Sequence, residues 1–334
     1  MDEVLAQLRF DGQRFDYWQK VDIRESVDDL CASVQLGLTR RGDSAALGLT
    51  ANTVADLLID EQLVTTVRAD SVSRQVDAES CSISITARSL GRELVDCQYS
   101  KTLSGLPLAE IVQRLCGEFN VPVTIAAETE LVPDFSMQCE TPANAILNAA
   151  RAGGLLIYPL PDGGLILTRP TEAGPVTTLR YGETIKSYTV VDEYKLRFSD
   201  YVIKGYEYAG DAAQSGRSRD KGIGFFRPLH IVADRHGQGL GGCERRAEQE
   251  RARRQARSHR IELEIPGWRY PDADGRLRLW AINTQVRIVI PDEGINDVFL
   301  IGERSFRQDD RGGSLTALQV MPREAFLAAR REAT

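Results

Sequence analysis

The chain has 334 residues, 42% of them apolar and 27% charged, with a net charge of −7. Such a composition belongs to a folded protein long enough to divide into two to four domains, and it argues against wholesale disorder. The negative balance repels nucleic-acid backbones and acidic membranes, so any basic function must be local. No apolar run approaches the roughly 18 residues of a membrane span. The opening MDEVLAQLRFDGQRF lacks both the basic region and the apolar run of a signal peptide, so synthesis and folding in the cytoplasm are expected.

Residues 1–100 read as strands separated by turns. FDGQRFDYW turns at Asp11-Gly12, TVADLLIDEQLVTTV is a hairpin turning at Asp60-Glu61-Gln62, and CSISITA alternates Cys81, Ile83, Ile85 and Ala87 against Ser82, Ser84 and Thr86. A small antiparallel barrel or sandwich with a short helix near SLGRELV follows from this. The period then changes. In LAEIVQRLCGEF the apolar residues Leu108, Ile111, Val112, Leu115, Cys116 and Phe119 fall on one helical face behind Pro107. VPVTIA is a strand. A second helix is expected from Thr141 as N-cap, with Pro142 in its first turn, to Gly153-Gly154. The hairpin GLLIYPLPDGGLILT turns at Pro161 to Gly164, and TRPTEAGP reads as a linker. Strands return from residue 176: LRFSDYVIKGYEY, FFRPLHIVAD, IELEI, QVRIVI, VFLIGERSF and SLTALQVM. GDAAQSGRSRDKGIG (210–224) reads as a polar, glycine-spaced loop.

Two motifs invite chemistry. Gly237, Gly239 and Gly242 spell the G-x-G-x-x-G of dinucleotide-binding folds. The helix behind them, however, has no large apolar residue between Cys243 and Arg260. Its small residues, Cys243 and Ala247 against Ala252 and Ala256, project to opposite sides, so no single stripe is available to lie on a parallel sheet. No cofactor is expected. Seven arginines between Arg245 and Arg260 could grip nucleic acid. Yet Arg246, Glu250 and Arg254 stand at the i,i+4 spacing of a solvated helix, and the stacking aromatics of nucleic-acid binders are absent. A glycine hinge followed by an exposed or subunit-contacting helix is the reading, without specific nucleic-acid recognition. The six scattered cysteines form no C-x-x-C pair, and the three histidines, His230, His236 and His259, lack metal-ligand spacing. No nucleophile elbow or Walker loop is present, and no catalytic residue is assigned.

Several stretches in order resemble the Mu-type baseplate hub proteins of contractile-tailed phages: ARSLGRELVDC (87–97), LPLAEIVQRLCGEF (106–119), NAARAGGLLIYPLPDGGLILTRP (148–170) and FRPLHIVAD (226–234). The last third carries most of it: the arginine helix, PGWRYPDADGRLRLWAIN, then VFLIGERSF with GGSLTALQVMPREAF. The chain departs from the family at Thr66-Val67, where relatives tend to have a Gly-aromatic pair. The resemblance implies an α+β, mainly β fold: two antiparallel β-barrel domains with an intervening small α/β module and a helical insertion. Its expected boundaries are 1–100 for the first barrel, 101–171 for the module, 172–209 with 261–323 for the second barrel, 210–260 for the insertion and 324–334 for a C-terminal tail. It implies a homotrimeric ring in the virion, assembled in the host bacterial cytoplasm. The ring would adapt a hexameric tail tube to a trimeric central spike and contact other baseplate proteins, without inserting into a membrane. Arginine exceeds lysine by 35 to 6, which suits planar, bidentate subunit contacts. Arg246, Arg253 and Arg257 are the candidate interface residues, and Trp268 and Trp280 the candidate anchors of the second barrel. The competing functions are a tail-associated peptidoglycan-degrading enzyme, which needs a carboxylate pair in a saccharide cleft, and a nucleotide-binding oxidoreductase.

Overall fold

The computed structural model describes residues 6–40, 48–77, 80–207, 212–232, 242–309 and 312–327. Strands dominate, as the period-two patterns require, and most of them belong to one thirteen-stranded sheet. From one edge its order is Ser187–Asp192, His259–Pro266, Gly313–Met321, Ile295–Asp309, Lys20–Ser26, Ser33–Arg40, Cys81–Ser89, Gln62–Val76, Val54–Ile59, Ala6–Phe10 and Gln13–Phe15. Gln285–Ile290 and then Thr178–Arg180 branch from Ile295–Asp309. The fold is mainly β, of the α+β class.

N-terminal and C-terminal strands therefore share one ladder. Ile295–Asp309 pairs antiparallel with Lys20–Ser26, from Glu303 opposite Ser26 to Asp309 opposite Lys20. One apolar core runs beneath both halves, from Leu8, Ile23 and Ile85 to Ile288, Phe306 and Val320. A buried ion pair lies across the joint: Glu25 meets Arg304 at 2.7 Å, and Arg304 also donates to the Trp280 carbonyl at 2.6 Å. Burial pushes the Glu25 carboxyl above its ordinary pKa, against the pull of Arg304.

The expected hairpins are present. Asp60 and Glu61 both have positive φ, 47° and 65°, and form the two-residue turn between Val54–Ile59 and Gln62–Val76. The strand register there aligns Val54 with Arg68 and Asp56 with Thr66, with a bulge between Leu57 and Leu58. CSISITA alternates as its pattern requires, with Ile83, Ile85 and Ala87 buried.

Helix α1 (Arg92–Asp96) leads into the α/β module, whose core is separate. Helix α2 (Leu108–Glu118) buries Leu108, Ile111, Val112, Leu115 and Cys116, the face its spacing defines. Helix α3 (Pro142–Ala152) starts as its sequence requires: Thr141 Oγ1 accepts from the Asn144 amide at 3.2 Å, with proline in the first turn. Two strands here were not foreseen, Tyr99–Pro107 and Leu131–Glu140, which pair with each other. The turn of the hairpin Leu156–Pro159/Leu165–Thr168 docks on the large sheet, where the Thr66 amide donates to the Pro161 carbonyl at 2.8 Å. Gly163 is required there. Its φ is 81°, and a Cβ would stand 2.8 Å from the Thr66 carbonyl oxygen.

The segment read as a loop over 210–224 is corrected by the structure. Ala212–Arg219 is a strand, antiparallel to Asp200–Glu207, which also pairs parallel with Pro228–Val232. These three strands form a sheet of their own. The small and polar residues that suggested a loop instead give a flat surface for a helix.

Candidate functional site: the arginine helix and its joints

Helix α4 (Gly242–Arg257) covers the three-stranded sheet. Cys243 and Ala247 are buried against Tyr201 and Ile203. The approach is closest at Gly216, where a Cβ would lie 2.0 Å from the Cys243 carbonyl carbon. On the other side Ala256 joins the large core, and Arg257 lies over the Phe326 ring at 5.6 Å. The helix read as exposed or subunit-contacting is thus packed within its own chain. Its small residues project two ways because the helix is clamped between two bodies. Of its described residues only Glu244 is exposed; the others are buried or half-buried.

The arginines are largely engaged within the chain. Arg257 Nη2 donates to both carboxylate oxygens of Asp28 at 2.8 Å, and Arg151 of α3 reaches the same carboxylate at 3.2 Å. Asp28 therefore ties the first half of the large sheet to both α3 and α4. Burial alone would raise its pKa, but Arg257 and then Arg151 outweigh burial and hold it below the usual carboxylate value. Arg253 pairs with Glu250 at 2.9 Å, and Glu250 also accepts from Arg254. Arg254 and Arg227 both stack on Phe198, at 5.4 and 5.0 Å. Arg251 pairs with Glu248, which Ser218 also contacts, and Arg260 pairs with Glu193. Arg253 and Arg257 thus engage partners within the chain, and Arg246 lines the cleft between α3 and α4 beside them.

The two tryptophans lie in the large core. Trp268 and Trp280 are 0% and 1% exposed. The Trp268 indole N–H donates to the Arg307 and Leu315 carbonyls at 3.1 and 3.0 Å, and its ring sits 5.6 Å from that of Phe306. Trp280 packs on Tyr270 at 4.5 Å. Gly237, Gly239 and His236 fall outside the described residues; Gly242 begins α4. The strand Pro228–Val232 and α4 do place a strand and a helix on either side of that glycine motif. After α4, however, the chain enters the large sheet at His259–Pro266, antiparallel to Gly313–Met321, which is not a repeating βαβ pattern. Among the described residues no group of three or more His, Cys, Asp or Glu could hold a metal ion. Nor is any helix long and apolar enough to cross a membrane. Sequence reasoning missed Asp28: its partners lie 123 and 229 residues away, and VDDL carries no local signal.

Three family models match in chain order. Residues 6–89 match the Mu phage baseplate assembly protein GpP-like N-terminal domain, residues 92–169 the baseplate hub protein gp44-like second domain, and residues 242–329 the GpP fourth domain. The baseplate hub protein gp44 of Escherichia phage Mu is 28% identical, over 96% of this chain and 88% of its own length. The chain belongs to the Mu-type baseplate hub proteins. Its role is that of a structural baseplate hub protein. Two solved structures share the fold. The 43 kDa tail protein of prophage MuSo2 from Shewanella oneidensis is 24% identical with a TM-score of 0.83, covering 97% of this chain and 99% of its own. The tail protein from Neisseria meningitidis MC58 is 20% identical with a TM-score of 0.85, covering 97% and 98%.

Proposed function

We propose that three copies of this hub protein close head to tail into a ring in the virion baseplate, with the tail tube on one side and the central spike on the other. Each copy contributes two β-barrel domains, one from each half of the large sheet, so three chains present six similar units to a hexameric tube. The role is structural and non-enzymatic. The observation that carries the reading is the sheet itself. It runs unbroken through both halves, and it ends on strands with no partner on the outer flank among the described residues, Ser187–Asp192 and Gln13–Phe15. The first of these edges, SYTVVD, has no proline, lysine or bulge to blunt it. Such an edge is a template for pairing, and a neighbouring copy covering it would remove the liability. Unlike edges that meet in a closing rotation give rings. In this reading Arg246, Arg253 and Arg257 support assembly at one remove, by fixing α4 against α3 and the large sheet.

Gel filtration coupled to light scattering tests the reading with Val190→Lys, which places a charge on the half-exposed edge strand. The parent is expected to form trimers at high concentration or with its spike. The variant is expected to keep the same circular dichroism and to assemble more weakly. Equal assembly of parent and variant would remove this edge from the ring.

A further inference from the structure

The three-stranded sheet has two faces, and α4 covers one of them. Tyr201, Ile203, Leu229 and Ile231 belong to that covered face. Alternate residues turn the other way: Asp200, Val202 and Lys204, opposite Arg219, Arg217 and Ser215 on one flank and Pro228, His230 and Val232 on the other. Lys204, Arg217, Arg219 and His230 are exposed there, and Val232 is 77% exposed. Just before Pro228 stand two exposed rings, Phe225 and Phe226, with Tyr194 at 6.2 Å from Phe225. Exposed aromatics beside a strand face mark a surface that a partner covers. We propose that this face docks on a second copy of the chain, against the acidic outer strands of that copy's N-terminal half. The proposal rests on the ring reading and names two surfaces that meet in it.

Charge selects the occupant. On this face Asp200 is the one carboxylate among the described residues; it pairs with Arg217 and lies within the field of Arg219. Lys204 and the nearby Lys221 have no carboxylate partner among the described residues. Residues 193–241, which lead into α4, hold eight basic and six acidic side chains. That segment is therefore +2 in a chain of −7, and the remainder of each copy carries −9. One acidic surface lies at the far end of the strand order, around Gln13–Phe15 and Val54–Ile59. Asp11, Asp16, Asp56, Asp60 and Glu61 gather there beside Arg9, Arg14 and Arg269. Asp11 and Asp16 have no ion-pair partner among the described residues, and the adjoining Tyr17 is 75% exposed. Opposite charges of this kind fix the register of an interface and speed its formation. The basic face also continues from the edge assigned to the ring, since the chain runs from Ser187–Asp192 through Tyr194 into Asp200–Glu207. When unlike edges meet head to tail, the acidic strands of one copy and the basic face of the next come to the same boundary.

The test uses the full chain, alone at high concentration and with its spike. Isotope-labelled and unlabelled chains are mixed before assembly and treated with a carbodiimide, which joins a lysine amine to a carboxylate in contact with it. Mass spectrometry should find amides between labelled and unlabelled peptides, from Lys204 or Lys221 to Asp11, Asp16 or Glu61. In parallel, light scattering follows the double variant Lys204→Glu with Phe226→Ser. Both side chains are exposed, so circular dichroism and the urea midpoint should match the parent. The concentration at which half the trimer dissociates should rise about tenfold or more, a loss of about 1.4 kcal/mol. A trimer whose Lys204 and Lys221 link only within their own chain or to the spike would overturn this proposal and leave the ring standing. So would a variant that assembles like the parent. A parent that never forms trimers fails the ring and this face together.

Discussion

Replacing Asp28 with Asn probes the joint on which the arginine helix depends. The substitution keeps the shape but removes the charge that accepts from Arg257 at 2.8 Å and Arg151 at 3.2 Å. The side chains of Asp28 and Arg257 are each 26% exposed, so the pair lies between a surface bridge and a fully buried one. Exposed pairs contribute about 0–1 kcal/mol, and breaking a buried pair costs about 3–5 kcal/mol. A loss of about 2 kcal/mol is therefore expected for Asp28→Asn in urea unfolding followed by tryptophan fluorescence. A double-mutant cycle with Arg257→Met should return a coupling of about 1–2 kcal/mol. The pH dependence has a definite sign. Because the folded-state pKa of Asp28 is lowered, its contribution is complete above the unfolded value of about 3.9 and is lost as pH falls through the folded value. Asp28→Asn should therefore flatten the acid limb of the stability profile and leave neutral-pH slopes unchanged. A coupling below about 0.3 kcal/mol, the usual scatter of independent sites, would refute the idea that this carboxylate ties α4 to the sheet.

Trp268→Ala and Trp280→Ala should each cost about 3–5 kcal/mol, since both rings are fully buried; Phe226→Ala, at an 81% exposed ring, should change the urea midpoint little. Gly216→Ala should force α4 off its sheet, because the added Cβ would stand 2.0 Å from Cys243. Limited proteolysis would then cut within α4, and an unchanged digestion pattern would contradict the packing. Glu25→Leu with Arg304→Met should be less destabilising than either change alone, because each single variant strands a buried partner of the 2.7 Å pair. Additive losses in urea would argue against that coupling.

The parts legible in the sequence are those whose structure is set locally. Thr141 with Pro142 opens α3, the one-sided spacing of Leu108 to Cys116 makes α2, and Asp60-Glu61 makes the turn between alternating strands. What escaped depends on distant partners. Ala212–Arg219 is a strand because Asp200–Glu207 pairs with it and because its small residues admit α4, neither of which its polar sequence declares. Among the described residues Tyr99–Pro107 and Leu131–Glu140 pair only with each other, and Gly105 and Pro133 interrupt their sequence patterns. The two-sided clamp on α4 explains why a search for one apolar stripe failed: Cys243 and Ala247 serve one surface and Ala256 another. The Asp28 joint was invisible because its three groups meet only when the module, the helix and the sheet have packed.

The mass of the assembled particle tests the hub reading most directly. Light scattering coupled to gel filtration, on the chain alone at high concentration and with its spike protein, should give a species of three 37.0 kDa chains, or that trimer plus spike. A monomer whose mass is independent of concentration and unchanged by the spike would contradict the ring.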